Sequence, residues 1–465
     1  MVGLILFIIY WFTFLQRRYD VNLFVLFLLA TSCYQFAPVK IIELNPVVTK
    51  PYDWVSLIIV GHLIFRARHI QFKKYLTLPV RLYLAFLIFL GLYSLLVLHV
   101  ETKVVLSVFR LHLFIISPIL FTEYKFETIE GVIKWVCVFT VLASAVYITQ
   151  AFVGKAILSS LQSDDITAKQ ANGGLSRFYN LPFYAVFALI YYARKVFDNF
   201  KPRYLLYAVI VLLAIIISFN RNTLIVAILS LIAVYYHNRK VKIVNVAFLV
   251  LLGWIITIPF SESNDGRLNQ GFNDLKNFNT SMNLSHMFDY KPSEVSELST
   301  TQFRALHFYE RFSYVTGRGV FTSLTGVGLV NEQSSFKNKL DFSVGLVNEG
   351  TDEVVQIDTG DIVWSLLILQ TGLIGIILFI TVYISYIRYY LRYRAYTFSY
   401  LSAILITALL LTSFFGIDII SPPIVMFVSM LFVLTYKGVS VQEESNEPDY
   451  GTIPGNGQLI YDLNS

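Results

Sequence analysis

The sequence predicts an all-α fold, a polytopic bundle of about thirteen transmembrane helices with one large extracytoplasmic loop domain. Three observations support this prediction. First, 56% of the 465 residues are hydrophobic and 14% are charged, and the mean hydropathy of +0.63 is too high for a water-soluble protein of this length. Second, apolar runs close to the length of a bilayer crossing recur along the chain. Third, a single long polar stretch, 261–361, interrupts them.

The candidate spans are separated by short polar segments, and because several are short we expect tilted helices or shifted boundaries. They lie at 2–15, 21–38, 52–65, 79–99, 103–122, 131–153, 180–193, 203–218, 222–236, 243–260, 362–385, 398–416 and 421–436. No basic segment precedes the first span, so we expect a retained helix and not a cleaved signal peptide. Four regions follow: an N-terminal transmembrane bundle at 1–260, an extracytoplasmic loop domain with an amphipathic helix at 261–361, C-terminal transmembrane helices at 362–436 and a flexible cytoplasmic tail at 437–465.

Basic residues in alternate connecting segments predict the orientation. They are Arg17, Arg18, Arg66, Arg68, Lys73, Lys74, Arg194, Lys195, Lys201, Arg203, Arg239, Lys240, Lys242, Arg388, Arg392 and Arg394. All of these fall on one side of the predicted bundle, which the positive-inside rule makes cytoplasmic. The amino terminus is then expected outside and the carboxyl terminus inside, with the 261–361 loop outside.

Charge and cysteine usage exclude several functional classes. The net charge of +6 is spread over short loops, so a nucleic-acid partner is not expected. Cys33 and Cys137 both fall inside predicted spans. They therefore form neither a disulfide framework nor a zinc site with paired spacing.

Three arginines stand out against the predicted topology. Arg110 lies inside an apolar span, where an arginine costs about 2–3 kcal/mol and needs a partner. It either faces a cavity open to the outer leaflet or snorkels to the interface, and the sequence leaves both readings open. Arg221 and Arg177 lie at outer turns, where the positive-inside rule makes arginines less expected. Interfacial anchoring is the simpler alternative for both, but we favour a functional role, especially for Arg221.

The loop domain contains one clear helix signal. Ser299-Thr300-Thr301-Gln302 opens a run to Thr316 that stops at Gly317, with a capping-box pattern at its start. Arg304, His307 and Arg311 fall at helical spacings of three and four, so we expect a basic stripe over a membrane cavity. Such a stripe is also typical of a solvated helix face or of contact with lipid headgroups.

Two further features follow this helix. The glycines of Leu324-Thr325-Gly326-Val327-Gly328 permit a tight turn and a close backbone approach to a ligand. The loop ends in Asp358-Thr359-Gly360-Asp361, directly before an apolar span. One of these aspartates is simply explained as a helix cap, which leaves the other available as a base.

The order of these features resembles the O-antigen polymerase and ligase superfamily of bacterial envelope enzymes, and the resemblance covers most of the chain. Ser218-x-x-Arg221 is similar to the family's serine and arginine motif at an outer turn. Phe303-Arg304 through Gly326-Val327-Gly328 resembles its loop helix and glycine turn, and 361–375 resembles the polymerase version of the next motif. Ligases of the family usually carry a histidine where this chain has Asp358 and Asp361, which favours a polymerase.

The resemblance implies a multi-pass protein of the bacterial inner membrane that joins undecaprenyl-pyrophosphate-linked oligosaccharide repeat units with inversion at the anomeric carbon. Arginine forks stabilise a pyrophosphate leaving group well. Arg221 and Arg304 are the leading residues for this role, with Arg304 also counted as catalytic. The further pyrophosphate-binding candidates are Arg177, Arg311, Arg110 and His307. Asp361 is the expected general base and Asp358 the second candidate.

No cofactor or metal is expected, since arginines take the cation's role. The expected partners are the lipid-linked oligosaccharides, the lipid bilayer, a chain-length regulator and a flippase. Two other functions stay open from the sequence. A ligase would share the donor arginines and differ in the acceptor, whereas a transporter or flippase of lipid-linked sugars would line a path through the bundle with charges. A sensor or scaffold leaves Arg110 and Arg221 unexplained.

Overall fold

The computed structural model describes residues 2–44, 48–66, 75–160, 169–170, 175–237, 300–347, 353–358, 362–414 and 416–446. These residues are mostly helical. In chain order the helices are α1 (Val2–Leu15), α2 (Tyr19–Ala30), α3 (Val39–Ile42), α4 (Pro51–Arg66), α5 (Leu78–Leu96), α6 (Thr102–Leu113), α7 (Phe126–Val153), α8 (Ala185–Asp198), α9 (Pro202–Ile217), α10 (Arg221–His237), α11 (Thr300–Gly317), α12 (Val320–Thr325), α13 (Val363–Arg392), α14 (Thr397–Thr412) and α15 (Pro422–Asn446).

Short elements complete the described chain. Two-residue strands β1 (Lys169–Gln170) and β2 (Ser176–Arg177) pair antiparallel, with Gln170 opposite Ser176. A 3-10 helix, Phe114–Phe121, continues α6 and contains Pro118, which cannot donate an α-helical hydrogen bond. Two more 3-10 helices occupy Ser335–Lys339 and Asp418–Ile420.

Five helical stretches in the described part of the chain are long and apolar enough to cross a membrane. They are Leu78–Leu96, Thr102–Phe121, Phe126–Val153, Val363–Arg392 and Pro422–Ser440. Six shorter apolar helices accompany them: Val2–Leu15, Tyr19–Ala30, Pro51–Phe65, Pro202–Ile217, Asn222–Tyr236 and Thr397–Thr412. The protein is therefore a helical membrane protein by length and composition, and the predicted span 243–260 lies outside the described residues.

The apolar helices share one continuous core. Within it, 78% of the apolar window of α15 is buried, against 33% of the window of α5. The helix α15 is hence central, and α5 leaves most of its apolar surface for lipid. A helix that is apolar all round and buried all round packs only against other apolar helices, which explains why α15 contains few polar groups before Lys437.

The glycine turn of the 300–358 segment inserts into the bundle at a break in α13. Gly372 interrupts α13 with φ of +61° and ψ of −164°, and a Cβ at Gly326 would lie 2.6 Å from the Leu369 carbonyl oxygen. The Val327 amide donates to that carbonyl at 2.8 Å, and the Leu329 amide donates to Ser94 Oγ at 2.8 Å. The predicted close approach is therefore found, but to the protein's own backbone and not to a ligand. Only glycine fits such backbone contact.

Candidate functional site

Three turns that connect helices meet at a cavity of about 400 Å³. They are the 175–184 segment before α8, the 218–220 turn between α9 and α10, and the 416–421 turn between α14 and α15. The start of α11 contributes Arg304. The charged and amide side chains in the lining are Gln35, Arg177, Asn180, Asn220, Asn222, Arg304 and Asp418. Much of the remaining lining is apolar, including Leu405, Leu409 and Ile424. The cavity therefore combines an apolar wall with convergent polar groups, which is typical of ligand sites.

Arg177 enters this cavity from β2. Its guanidinium carbon lies 4.4 Å from the centre of the Tyr179 ring, a cation–π contact that orients the side chain. The Tyr147 hydroxyl donates to the Phe178 carbonyl at 2.7 Å, and Phe178 is itself buried in a small apolar cluster. The contacts of the next two residues, Phe178 and Tyr179, thus hold Arg177 in place.

A buried amide network holds the same wall. Asn180 Nδ2 donates to the Leu158 carbonyl at 2.6 Å, and Gln150 Nε2 donates to Asn180 Oδ1 at 2.8 Å. From the turn that follows α2, Gln35 Nε2 donates to the Asn180 carbonyl at 3.1 Å. Buried amides that are satisfied in this way make a rigid wall, so the arginine beside them projects from a preorganised segment.

The 218–220 turn carries the predicted serine and arginine motif. Ser218 Oγ donates to the Ile215 carbonyl at 2.7 Å and accepts from the Asn220 amide at 3.2 Å. Asn220 Oδ1 accepts from the amides of Asn222 at 3.1 Å and Thr223 at 3.3 Å, and so caps α10. Arg221 is the first residue of α10, between two residues that line the cavity; its side chain lies outside the described residues.

Asp418 is the cavity residue that sequence reasoning missed. It begins a 3-10 helix in the 416–421 turn, and its side chain is exposed to the cavity. The protein packed around the cavity desolvates the carboxyl and raises its pKa. The available signal was a single acidic residue between two adjacent apolar spans, at a turn that the predicted topology already put on the outer side.

The predicted basic stripe on α11 is wrong in part. Arg304 lines the cavity, but the side chains of His307 and Arg311 are buried in a separate cluster with Asp358 and Glu310. Arg311 lies two helical turns from Arg304, and residues within 341–347 and 353–358 cover the helix at the level of His307 and Arg311. They are therefore not placed over the cavity.

We call this cluster the ion-pair clamp: His307, Glu310, Arg311 and Asp358. His307 Nε2 lies 2.5 Å from Asp358 Oδ1, and Arg311 Nη2 lies 3.5 Å from the same oxygen. Arg311 also pairs with Glu310 at 3.0 Å. Glu310 accepts from the backbone amides of Ser343 and Val344, so the clamp joins α11 to the segment that follows it.

The clamp gives Asp358 a structural role. Burial alone would raise the pKa of its carboxyl, but the hydrogen bond from His307 and the charges of His307 and Arg311 hold the pKa below its usual value. Burial lowers the pKa of Arg311 to about 10, which leaves the guanidinium charged. A carboxylate held in its ionised form by a neighbouring guanidinium and a histidine hydrogen bond is a weak proton acceptor. Asp361, the leading predicted base, lies outside the described residues.

Arg110 has a partner away from the cavity. Its Nη1 lies 2.8 Å from Asp53 Oδ2, and the Asp53 side chain is only 4% exposed. The amides of Thr49 and Lys50 donate to the same carboxylate oxygen at 2.9 Å. The ion pair explains how an arginine is accommodated in an apolar helix, and it places Arg110 outside the lining of the cavity.

Among the described residues, no group of three or more histidine, cysteine, aspartate or glutamate side chains could hold a metal ion. Comparisons with known proteins give no further assignment: no protein-family model, curated protein or solved structure matches the chain.

Proposed function

We propose that this protein is a glycosyltransferase of the bacterial inner membrane that polymerises a surface polysaccharide such as O-antigen. It joins undecaprenyl-pyrophosphate-linked oligosaccharide repeat units at the outer face of the membrane, with inversion at the anomeric carbon. The proposal includes the full topology of about thirteen spans with the amino terminus outside and the carboxyl terminus in the cytoplasm. A chain-length regulator and a flippase are its proposed partners.

One observation carries the proposal: Arg177 and Arg304 line the same cavity although they are far apart in the sequence. The turn that ends in Arg221 borders this cavity too. Guanidinium groups bind diphosphates through paired, charge-assisted hydrogen bonds. The two guanidinium groups of Arg177 and Arg304 around one cavity favour a doubly charged leaving group over a neutral sugar alone.

The lining also suits the rest of a lipid-linked glycan. A volume of about 400 Å³ is within the usual range for a ligand site. Asn222 and Thr223 also line the cavity, and amide and hydroxyl side chains are of the type that hydrogen-bonds sugar hydroxyls. The apolar wall from α14 and α15 offers a surface for the first isoprene units next to the diphosphate.

Catalysis then depends on stabilising the leaving group. As the bond between the anomeric carbon and the phosphate oxygen breaks, negative charge develops on the diphosphate. Arginines already aimed at this position stabilise the transition state more than the ground state. The hydroxyl oxygen of the acceptor glycan attacks the anomeric carbon of the donor on the side opposite the leaving diphosphate. This attack inverts the configuration of that carbon.

The test is polymerisation by the purified protein in proteoliposomes with undecaprenyl-pyrophosphate-linked repeat units. We expect a glycan ladder without added core lipid, and about 10²- to 10³-fold slower ladder formation for Arg304→Ala and Arg177→Ala, as for the loss of one transition-state donor. Arg203→Ala is the matched control, because Arg203 is exposed and outside the cavity. Wild-type rates for both cavity variants would contradict the proposal, and a product that forms only with added core lipid would indicate a ligase.

A further inference from the structure

The cavity contains one carboxylate whose role the sequence did not predict. Asp418 lies in its lining with Arg177 and Arg304. Among the described residues, no lysine, arginine or histidine nitrogen lies within 4.0 Å of its carboxylate. In that same part of the chain, no side chain donates a hydrogen bond to the Asp418 carboxylate. The carboxylate is thus available to a ligand in the cavity.

The surroundings of Asp418 differ from those of a helix cap. The helix that it begins has three residues, Asp418–Ile420, and Ile417 occupies its N-cap position. The 416–421 turn packs between α14 and α15, whose contributions to the cavity are the apolar Leu405, Leu409, Ile424 and Phe427. Desolvating an ionised group against such a wall costs free energy. Groups with such a cost persist mainly where function requires them.

Among the described residues, four charged or titratable groups line the cavity with Asp418. The 175–184 segment contributes Arg177, Tyr179 and Tyr184, and α11 contributes Arg304. Helices α14 and α15 contribute no ionisable group to the described lining. Among the effects of these surroundings, desolvation by the packed wall raises the pKa of the Asp418 carboxyl, so this carboxyl is not locked in its ionised form.

We propose that Asp418 is the general base of this site, and this inference rests on the proposed function. Asp418 accepts the proton of the acceptor sugar hydroxyl as that oxygen attacks the anomeric carbon of the donor. A new carbon–oxygen glycosidic bond forms, and the bond from the anomeric carbon to the phosphate oxygen breaks. The electron pair of that bond leaves with undecaprenyl pyrophosphate, and the proton on Asp418 is then released to solvent.

The assignment has a pH consequence with a definite sign. Burial raises the pKa of the Asp418 carboxyl above the usual value of an aspartate. Only the deprotonated form can accept the proton, so activity falls as the pH decreases through this raised pKa. A base performs best when its pKa is brought towards the working pH. The ion-paired Asp358, whose pKa is lowered, would instead stay deprotonated throughout that range.

The experiment measures single-cycle glycan transfer by full-length protein in proteoliposomes, as a function of pH, for wild type, Asp418→Asn and Asp418→Glu. Asp341→Asn is the matched control, because Asp341 is exposed and lies outside the cavity. Asparagine keeps the shape but cannot accept the proton, so we expect kcat to fall about 10²- to 10⁴-fold. The KM for the lipid-linked donor should change less than about threefold if donor binding is left to the arginines. Glutamate should retain part of the activity.

The outcomes separate the two proposals. If wild-type protein transfers no glycan, the proposed function fails and this inference fails with it. If wild type transfers glycan and Asp418→Asn stays within about threefold of its kcat, only the inference fails. Should Asp418→Asn not fold, the wild-type pH profile decides: an acid limb that Asp418→Glu displaces supports the base, and one that Asp418→Glu leaves in place overturns it.

Discussion

The ion-pair clamp and the cavity show two opposite uses of charged residues in one protein. In the clamp, His307 and Arg311 have fully buried side chains, and Asp358 is held by both of them. In the cavity, Arg177, Arg304 and Asp418 face an open volume. Both sets contain arginines and an aspartate, so residue type does not separate them. What separates them is the pairing of the aspartate: Asp358 lies against His307 and Arg311, whereas among the described residues no lysine, arginine or histidine nitrogen lies within 4.0 Å of the Asp418 carboxylate.

The two aspartates express this difference most directly. Cations hold the pKa of Asp358 below its usual value, and desolvation raises the pKa of Asp418. Asp358 therefore stabilises the folded protein when ionised, while ionised Asp418 opposes folding. Groups that reduce stability persist at sites where function requires them. We therefore expect the clamp to stabilise the fold and the cavity to carry the chemistry, and substitutions in each of them test this difference.

The largest expected effect on stability comes from breaking the clamp with Arg311→Leu. This variant leaves the buried Asp358 carboxylate and the half-buried Glu310 carboxylate without their arginine, and removing one partner of a buried ion pair typically costs about 3–5 kcal/mol. We expect faster proteolysis of the 300–358 segment and a lower Tm in detergent, because local unfolding precedes global unfolding. Arg318→Leu is the control, since Arg318 is exposed and lies against the Tyr314 ring, at 4.1 Å. Equal protease sensitivity of the two variants would show that the clamp has no structural role.

A smaller effect, with opposite signs at the two sites, is expected from Asp358→Asn and Asp418→Asn near pH 7. The folded-state pKa of Asp358 is lowered, so its contribution is present above the unfolded pKa of about 3.9 and is lost as the pH falls through the folded value. Asp358→Asn should thus lower Tm at neutral pH and remove this acid sensitivity.

For Asp418 the sign is reversed. Its folded-state pKa is raised, so the ionised form destabilises the folded protein above that pKa, and Asp418→Asn should leave Tm unchanged or raise it. Thermal unfolding of both variants between pH 3 and 8 checks the pair. A fall in Tm for both at neutral pH would mean that Asp418 is a structural residue like Asp358.

The sequence predicted much of the fold because hydropathy and helical caps are local signals. The loop helix expected from Ser299 to Thr316 is found as Thr300–Gly317, and apolar helices occupy most of the predicted spans within the described residues. The 103–122 span differs in its second half, where a 3-10 helix replaces the α-helix at Pro118. Proline was visible in the sequence, and its effect on the helix type could have been anticipated.

The site was less predictable, because its contacts join distant parts of the chain. Arg110 needed a partner, but nothing local identifies Asp53, and nothing local joins His307 to Asp358. Helical periodicity put Arg304, His307 and Arg311 on one stripe, whereas the packing of a later segment separates them. The sequence showed Asp418 only as one residue in a short turn between two predicted spans, so no role was predicted for its carboxylate.

The proposed function requires Arg177 and Arg304 to bind one lipid-borne diphosphate, and direct binding of undecaprenyl pyrophosphate without any sugar tests this requirement. Native mass spectrometry of the detergent-solubilised protein would give Kd for wild type, each single alanine variant and the double variant. Each lost charge-assisted contact should weaken binding about tenfold or more, while Arg203→Ala and Asp418→Asn should bind as wild type does. Unchanged Kd values for both Arg177→Ala and Arg304→Ala would contradict the account.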